Sequence, residues 1–303
     1  RGYVTVGFAA NVLYTTEVTG LSRGFVRYRD FPVSPGALIY HSWLGRSIIG
    51  PFRRLIGDRE RFVRKPASAM NDQFVTWIES RPQRPFFAFL NYFDAHGPYV
   101  PPPPFDTKFG TAGPVPDIRI ERTWSRQEVE SLTYAYDGAL AYLDEQLGNL
   151  LERLKAQGLL DNTLVVVTAD HGEQCGEHGL FGHGNSLYRS LLHVPLVISF
   201  PSSVPSGLRV SDPVTLVNLP ATILDLVSIP NASVIPGRSL AEHWRPLSHP
   251  EKAPIFAELS KVINPPASAR ASKGPMHAVF VAGINRRIVV DLDHIDFATD
   301  LLQ

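Results

Sequence analysis

Two runs, PFFAFLNYF at 85–93 and TLVVVTAD at 163–170, are apolar almost throughout instead of at alternate positions. A strand with one wet face alternates; a continuous run needs cover on both faces, the condition of a strand inside an α/β sheet. Between the two runs, Leu132, Tyr136, Leu140, Leu143, Leu147, Leu150 and Leu154 recur at spacings of three and four. Ser125 and Glu128 stand in capping-box spacing before them and Gly158 follows as a stop, so this stretch predicts one long amphipathic helix. Tyr3–Ala9 and HVPLVISFP (193–201) predict further strands, and Ala67–Ser80 and Val214–Val227 further helices. The expected fold is α/β: a mixed, mostly parallel central sheet with helices on both faces. IFAELS and HAVFVAGINRRIVVDL then suggest a small strand-rich piece at the C-terminal end. The arginine- and glycine-rich segment Arg23–Arg64 has no clear period and reads as irregular.

Lys plus Arg and Asp plus Glu each number 29, so the formal charge is zero, and no basic tract points to a nucleic-acid surface. A charged ligand would have to be held locally. One cysteine, Cys175, excludes an internal disulfide framework and a cysteine-rich zinc module. No apolar run reaches the roughly 18–20 residues of a membrane span. The chain runs from Arg1 straight into a strand-like segment, from which a preceding portion of chain is expected.

In sheets of this class, ligands gather beyond the carboxyl ends of the strands. Two such ends carry metal-ligating and proton-transferring side chains: Asp94 and His96 in the proline-rich loop DAHGPYVPPPPF, and Asp170 with His171 in TADHGEQCGEHGLFGHGN. An Asp-His pair offers a hard oxygen and an imidazole nitrogen to a divalent cation; it could equally be a helix cap beside a bystander histidine. His178 and His183 follow among closely spaced glycines, a backbone free to fold side chains towards one point. His96 is open to three roles, contact with a bound oxyanion, protonation of a leaving oxygen, or metal ligation, besides the plain one of tying its loop to Tyr99 or a backbone carbonyl.

TLVVVTADHGE with GEHGLFGHGNSLYRSLLHVPLVI resembles the C-terminal metal-binding segment of the sulfatases, in the alkaline phosphatase superfamily. NYFDAHGPYVPPPPF resembles their substrate-contacting histidine loop, YDGALAYLDEQLGNLLERLKAQGLLDNT their long helix, and VTLVNLPATILDLVSIPNASVIPGRSL the segment after the core. GYVTVGFAANVLYTTEVTGLSRGF resembles the early middle of the family, so the resemblance runs from about Gly2 to Leu240.

The resemblance implies metal-dependent hydrolysis of a sulfuric ester, with Asp170 and His171 as metal ligands and His96 on the transferred group or the departing oxygen. His183 stands where many arylsulfatases carry a lysine, and a histidine there also resembles the phosphoethanolamine transferases. Calcium is the cation implied on the sulfatase side, and zinc or manganese on the phosphoryl-transfer side (phosphodiesterase, phosphatase or transferase). A non-catalytic anion-binding module is the alternative of another class. The substrate implied is a small-molecule or carbohydrate sulfate ester, and the setting periplasmic or secreted. Residues 1–245 would form the catalytic domain without its N-terminal part, and 246–303 a small C-terminal subdomain. The family nucleophile lies in a Cys- or Ser-x-Pro-x-Arg motif; Cys175, in EQCGEHG, does not match, and the chain is expected to lack the motif and to be inactive alone. Loop arginines 27, 29, 46, 53, 54, 119 and 122 read as solvated side chains before they read as anion contacts.

Overall fold

The computed structural model describes residues 2–11, 14–30, 65–80, 84–110, 113, 115, 118, 123–230, 235–246, 253–260 and 275–280, with the backbone of 287–291. Arg46, Arg53, Arg54, Arg119 and Arg122 lie outside the described residues, as does the stretch 292–303. The chain divides into two compact units, Arg1–Gln157 and Gly158–Gln303.

In the first unit, β1 (Val4–Ala9) is the middle strand of a parallel sheet ordered β2-β1-β3, where β2 is Arg27–Arg29 and β3 is Phe86–Asn91. The register runs from Val4 opposite Phe86 to Ala9 opposite Asn91. Val6, Phe8 and Ala9 are fully buried, as befits the middle strand of a parallel sheet. Strand β2 falls in the segment expected to be irregular. Three residues, two of them arginines, carry no apolar signature; tertiary contacts make the strand. Thr5 Oγ1 donates to Gly24 O (2.7 Å), and a side chain on Gly7 would start 2.3 Å from the Tyr28 ring that lies over it.

Helix α1 (Ala67–Ser80) covers this sheet with the residues its period predicts: Phe74 meets Phe8 edge-on at 6.1 Å and Trp77 meets Phe86 at 5.9 Å. Its first amide, that of Ala67, donates to Asp94 Oδ1 (3.2 Å), so the acid at the end of β3 satisfies a helix start. Helix α2 (Arg126–Ala156) has the expected capping box, with Ser125 and Glu128 bonded reciprocally. Its inner face is not the leucine stripe. Leu132, Leu150 and Leu154 are buried, but so are Ala135, Gly138, Ala139 and Tyr142, whereas Leu140 is 39% exposed. Small residues let the helix approach backbone: a Cβ on Gly138 would lie 2.4 Å from the carbonyl oxygen of Phe105 in the proline-rich loop.

In the second unit, β4 (Val165–Thr168) pairs with β7 (Leu196–Ser199), and the pairing is antiparallel. The connection between them holds a small hairpin, β5 (Gln174–Cys175) with β6 (Phe181–Gly182), and one short helix, α3 (Arg189–Leu192). No long crossover helix intervenes, so the chain comes back against its own direction. The described strands are thus paired in parallel in the first unit and antiparallel in the second. After α4 (Leu219–Leu226), strands β8 (Ile255–Leu259), β9 (Met276–Phe280) and β10 (Arg287–Asp291) make an antiparallel sheet. Met276 and Ala278 of β9 bury against Leu187, and so brace the connection that follows β4.

Gly138→Ala should destabilise the chain by about 1–3 kcal/mol in urea unfolding, because the steric contact outweighs the roughly 1 kcal/mol helix-propensity gain; a more stable variant would contradict this packing. Lys65, 2% exposed with Nζ donating to Ala9 O (3.1 Å), has its ammonium pKa pushed down to about 8 by burial. Folding therefore favours the neutral amine: the penalty is complete below about pH 8 and is relieved as pH rises towards the ordinary 10.5. Relative to Lys65→Met, the native chain should gain about 2–3 kcal/mol between pH 7 and 10.5; parallel stability profiles would refute the assignment.

Candidate metal and anion site

Strand β4 ends at Thr168, and the next residues turn under a tight constraint. The Gly172 amide donates to Leu191 O (2.8 Å), and a Cβ on Gly172 would lie 1.9 Å from Ser190 O. Only glycine permits this closure, which ties the two ends of the connection together. Asp170 Oδ1 accepts the backbone amide of His171 (3.1 Å), and Asp170 Oδ2 lies 3.8 Å from His171 Nε2. His171 Nδ1 is held by Gly172 O (2.9 Å), which requires a proton on Nδ1 and leaves the Nε2 lone pair as the ligand atom. A separation of 3.8 Å is one that two atoms ligating a single cation at about 2.1–2.4 Å can adopt. The Asp170 carboxylate is 87% exposed, open to a ligand.

The hairpin returns His183 to this point. Gln174 pairs with Gly182 and Cys175 with Phe181, so the next rung outward sets Glu173 opposite His183. Gly182 and Gly184, both at positive φ (70° and 74°), flank His183 and turn its backbone where a side chain would strain it. The His183 ring lies 4.1 Å from that of His171, and His183 Nδ1 is 2.8 Å from Glu173 Oε1. One ligand atom from each of His171, Glu173 and His183 fits within a 4.8 Å span. Glu173, with a side chain only 6% exposed, raises the pKa of His183 by hydrogen bonding and charge, against a smaller opposing effect of burial.

Glu173 is the site residue that the sequence did not single out. A glutamate after Asp-His-Gly reads as polar loop; its signal was the hairpin, whose register pairs it with His183. His178 sits near the hairpin tip, in a left-handed conformation (φ 58°), stacked on Tyr188 at 3.7 Å. Cys175 is in β5, its amide donating to Glu177 Oε2 (2.7 Å).

In the first unit, His96 lies beyond the end of β3. Its ring stacks on Phe93 at 4.2 Å and its Nδ1 bonds Gly97 O (2.6 Å). One expectation needs correction. Ser80–Arg84 reads SRPQR, so the letters Ser-x-Pro-x-Arg do occur in the chain. Ser80 is the last residue of α1, with Oγ donating to Trp77 O (3.0 Å). That is the carbonyl end of a helix, whose negative pole opposes an ionised nucleophile.

A family model described as Sulfatase matches residues 49–229. Arylsulfatase K of Danio rerio is 36% identical over 117 residues, which span 39% of this chain and 22% of that protein. Among solved structures, a phosphonate monoester hydrolase from Silicibacter pomeroyi superposes with a TM-score of 0.57 at 26% identity, over 78% of this chain and 54% of that one. A protein solved in complex with its substrate D-glucosamine-2-N,6-O-disulfate gives 0.64 at 15% identity, over 100% and 72%. The chain thus spans about a fifth of that arylsulfatase and from a half to about three quarters of these structures.

The imidazole of His183 should titrate above its ordinary 6.5 in NMR, and Glu173→Gln should return it towards that value. The raised pKa means the stabilisation from the pair is complete below the unfolded value and is lost as pH rises through the folded one. An unchanged titration in Glu173→Gln would refute the coupling.

Proposed function

The chain belongs to the sulfatase family, with the sulfatase-like fold of the alkaline phosphatase superfamily, and from that premise we propose that it carries the metal and anion side of a site that hydrolyses sulfuric esters. The observation that supports this most directly is the convergence of Asp170, His171 and His183 beyond β4. Asp170 and His171 hold a divalent cation, calcium in this reading. When bound, it supplies positive charge to the non-bridging ester oxygens and favours an ionised nucleophile. His183 meets the transferred group, and the family reading assigns His96 to that group or to the departing oxygen. A sulfated carbohydrate or other small sulfate ester is the substrate class, in keeping with the likeness to a protein solved with a disulfated glucosamine. A periplasmic or secreted setting follows the same family reading. The catalytic domain is taken as 1–245 and the C-terminal subdomain as 246–303, with one mostly parallel sheet under helices on both faces in the whole protein.

A second reading, phosphoryl transfer with zinc or manganese, is favoured by two observations: a histidine stands at position 183, and the chain is 26% identical to a phosphonate monoester hydrolase. With Cys175 outside the family's nucleophile pattern and Ser80 at a helix end, residues 1–303 are expected to turn over little aryl sulfate or phosphate ester alone. Asp170→Ala and His171→Ala should each lower bound metal at least tenfold by elemental analysis. Unchanged metal content in both would sink the ligand assignment. Metal-dependent hydrolysis of 4-nitrophenyl sulfate by the 303 residues, abolished by Asp170→Ala, would show that the nucleophile is within them.

A further inference from the structure

We propose that Glu173 is a positioning residue, whose buried carboxylate fixes the ring of His183 with Nδ1 towards the protein and Nε2 towards the ester. This rests on the reading that His183 meets the transferred group. The geometry comes from the backbone. The hairpin register, Gln174 with Gly182, carries one rung further to Glu173 opposite His183, and directly opposed residues share a face. Gly172, one residue before Glu173, is anchored at Leu191 O, so the carboxylate stands on a fixed strand end.

The chemistry needs this support. An imidazole on a glycine-flanked backbone is free to rotate and to exchange tautomers; a carboxylate 2.8 Å from Nδ1 accepts its proton in a hydrogen bond and sets both. A side chain 6% exposed is poorly placed to touch substrate, yet well placed to orient the histidine, itself 31% exposed. His171, with its ring 4.1 Å away, bounds the ring on another side. Where a lysine would bring a charge on a flexible stem, this pair presents one nitrogen in one direction.

The test uses the 303-residue chain, with inorganic sulfate as the probe. At alkaline pH, where the ring is neutral, long-range 1H–15N correlation should find the His183 proton on Nδ1, and Glu173→Ala should give a tautomer mixture. Sulfate affinity, followed by NMR titration at mildly acidic pH, should fall about tenfold in Glu173→Ala. Glu173→Gln, which keeps an acceptor oxygen, should restore the tautomer and most of the affinity. Should the alanine variant fail to fold, the glutamine variant decides: a tautomer mixture or a tenfold loss in it overturns the proposal. So does a native tautomer in Glu173→Ala, or an affinity within twofold of native while His183→Ala loses sulfate. If His183→Ala itself leaves sulfate binding unchanged, or the native chain binds no sulfate, the failure lies in the underlying assignment of His183 to the anion.

Discussion

The closest backbone approach at the site lies between Gly172 and the Ser190–Leu191 segment, and the site's geometry depends on it. A hydrogen bond of 2.8 Å and a gap that excludes even a Cβ fix both ends of the connection after β4. Between these fixed ends, the β5–β6 hairpin brings His183 back to His171, with the two rings 4.1 Å apart. Leu187 then secures the outer limb of the same connection against Met276 and Ala278 of the C-terminal sheet. The placement of Asp170 and His171 thus depends on closure at Ser190–Leu191 and packing at Leu187, about twenty residues further along the chain.

Much of this was legible in the residues themselves. Continuous apolar runs marked β3 and β4, the capping box marked the start of α2, and the Asp170–His171 pair falls just beyond a strand, where the sequence placed it. What escaped did so for physical reasons. β2 is made by Thr5, Gly7 and Tyr28 contacts that no local pattern encodes. The buried face of α2 is partly Ala135, Gly138 and Ala139, because close backbone approach rewards absent side chains, and a search for leucines passes over them. Antiparallel pairing of β4 with β7 depends on how the connection folds, and the same apolar letters serve either direction. Glu173 became visible only once the hairpin register was known. The SRPQR letters mislead in the other direction: their serine ends a helix instead of beginning one.

A chain of zero formal charge can hold a charged ligand only by concentrating charge locally. Asp170 lies exposed at the outer edge and Glu173 buried beneath, with His171 and His183 between them. The exposed acid is free to meet a cation, while the buried one is committed to an imidazole. Two carboxylates near one another therefore do different work because their solvation differs. The same division gives the imidazole of His183 a buried partner at Nδ1.

The carboxylate and imidazole at the end of β4 are proposed to ligate one cation. Crystals of the 303-residue chain grown with manganese, measured for anomalous scattering, test it without recourse to activity. A single strong peak is expected within about 2.4 Å of both Asp170 Oδ2 and His171 Nε2, absent in Asp170→Ala. A peak bound elsewhere in the chain, or none at saturating manganese, would contradict it.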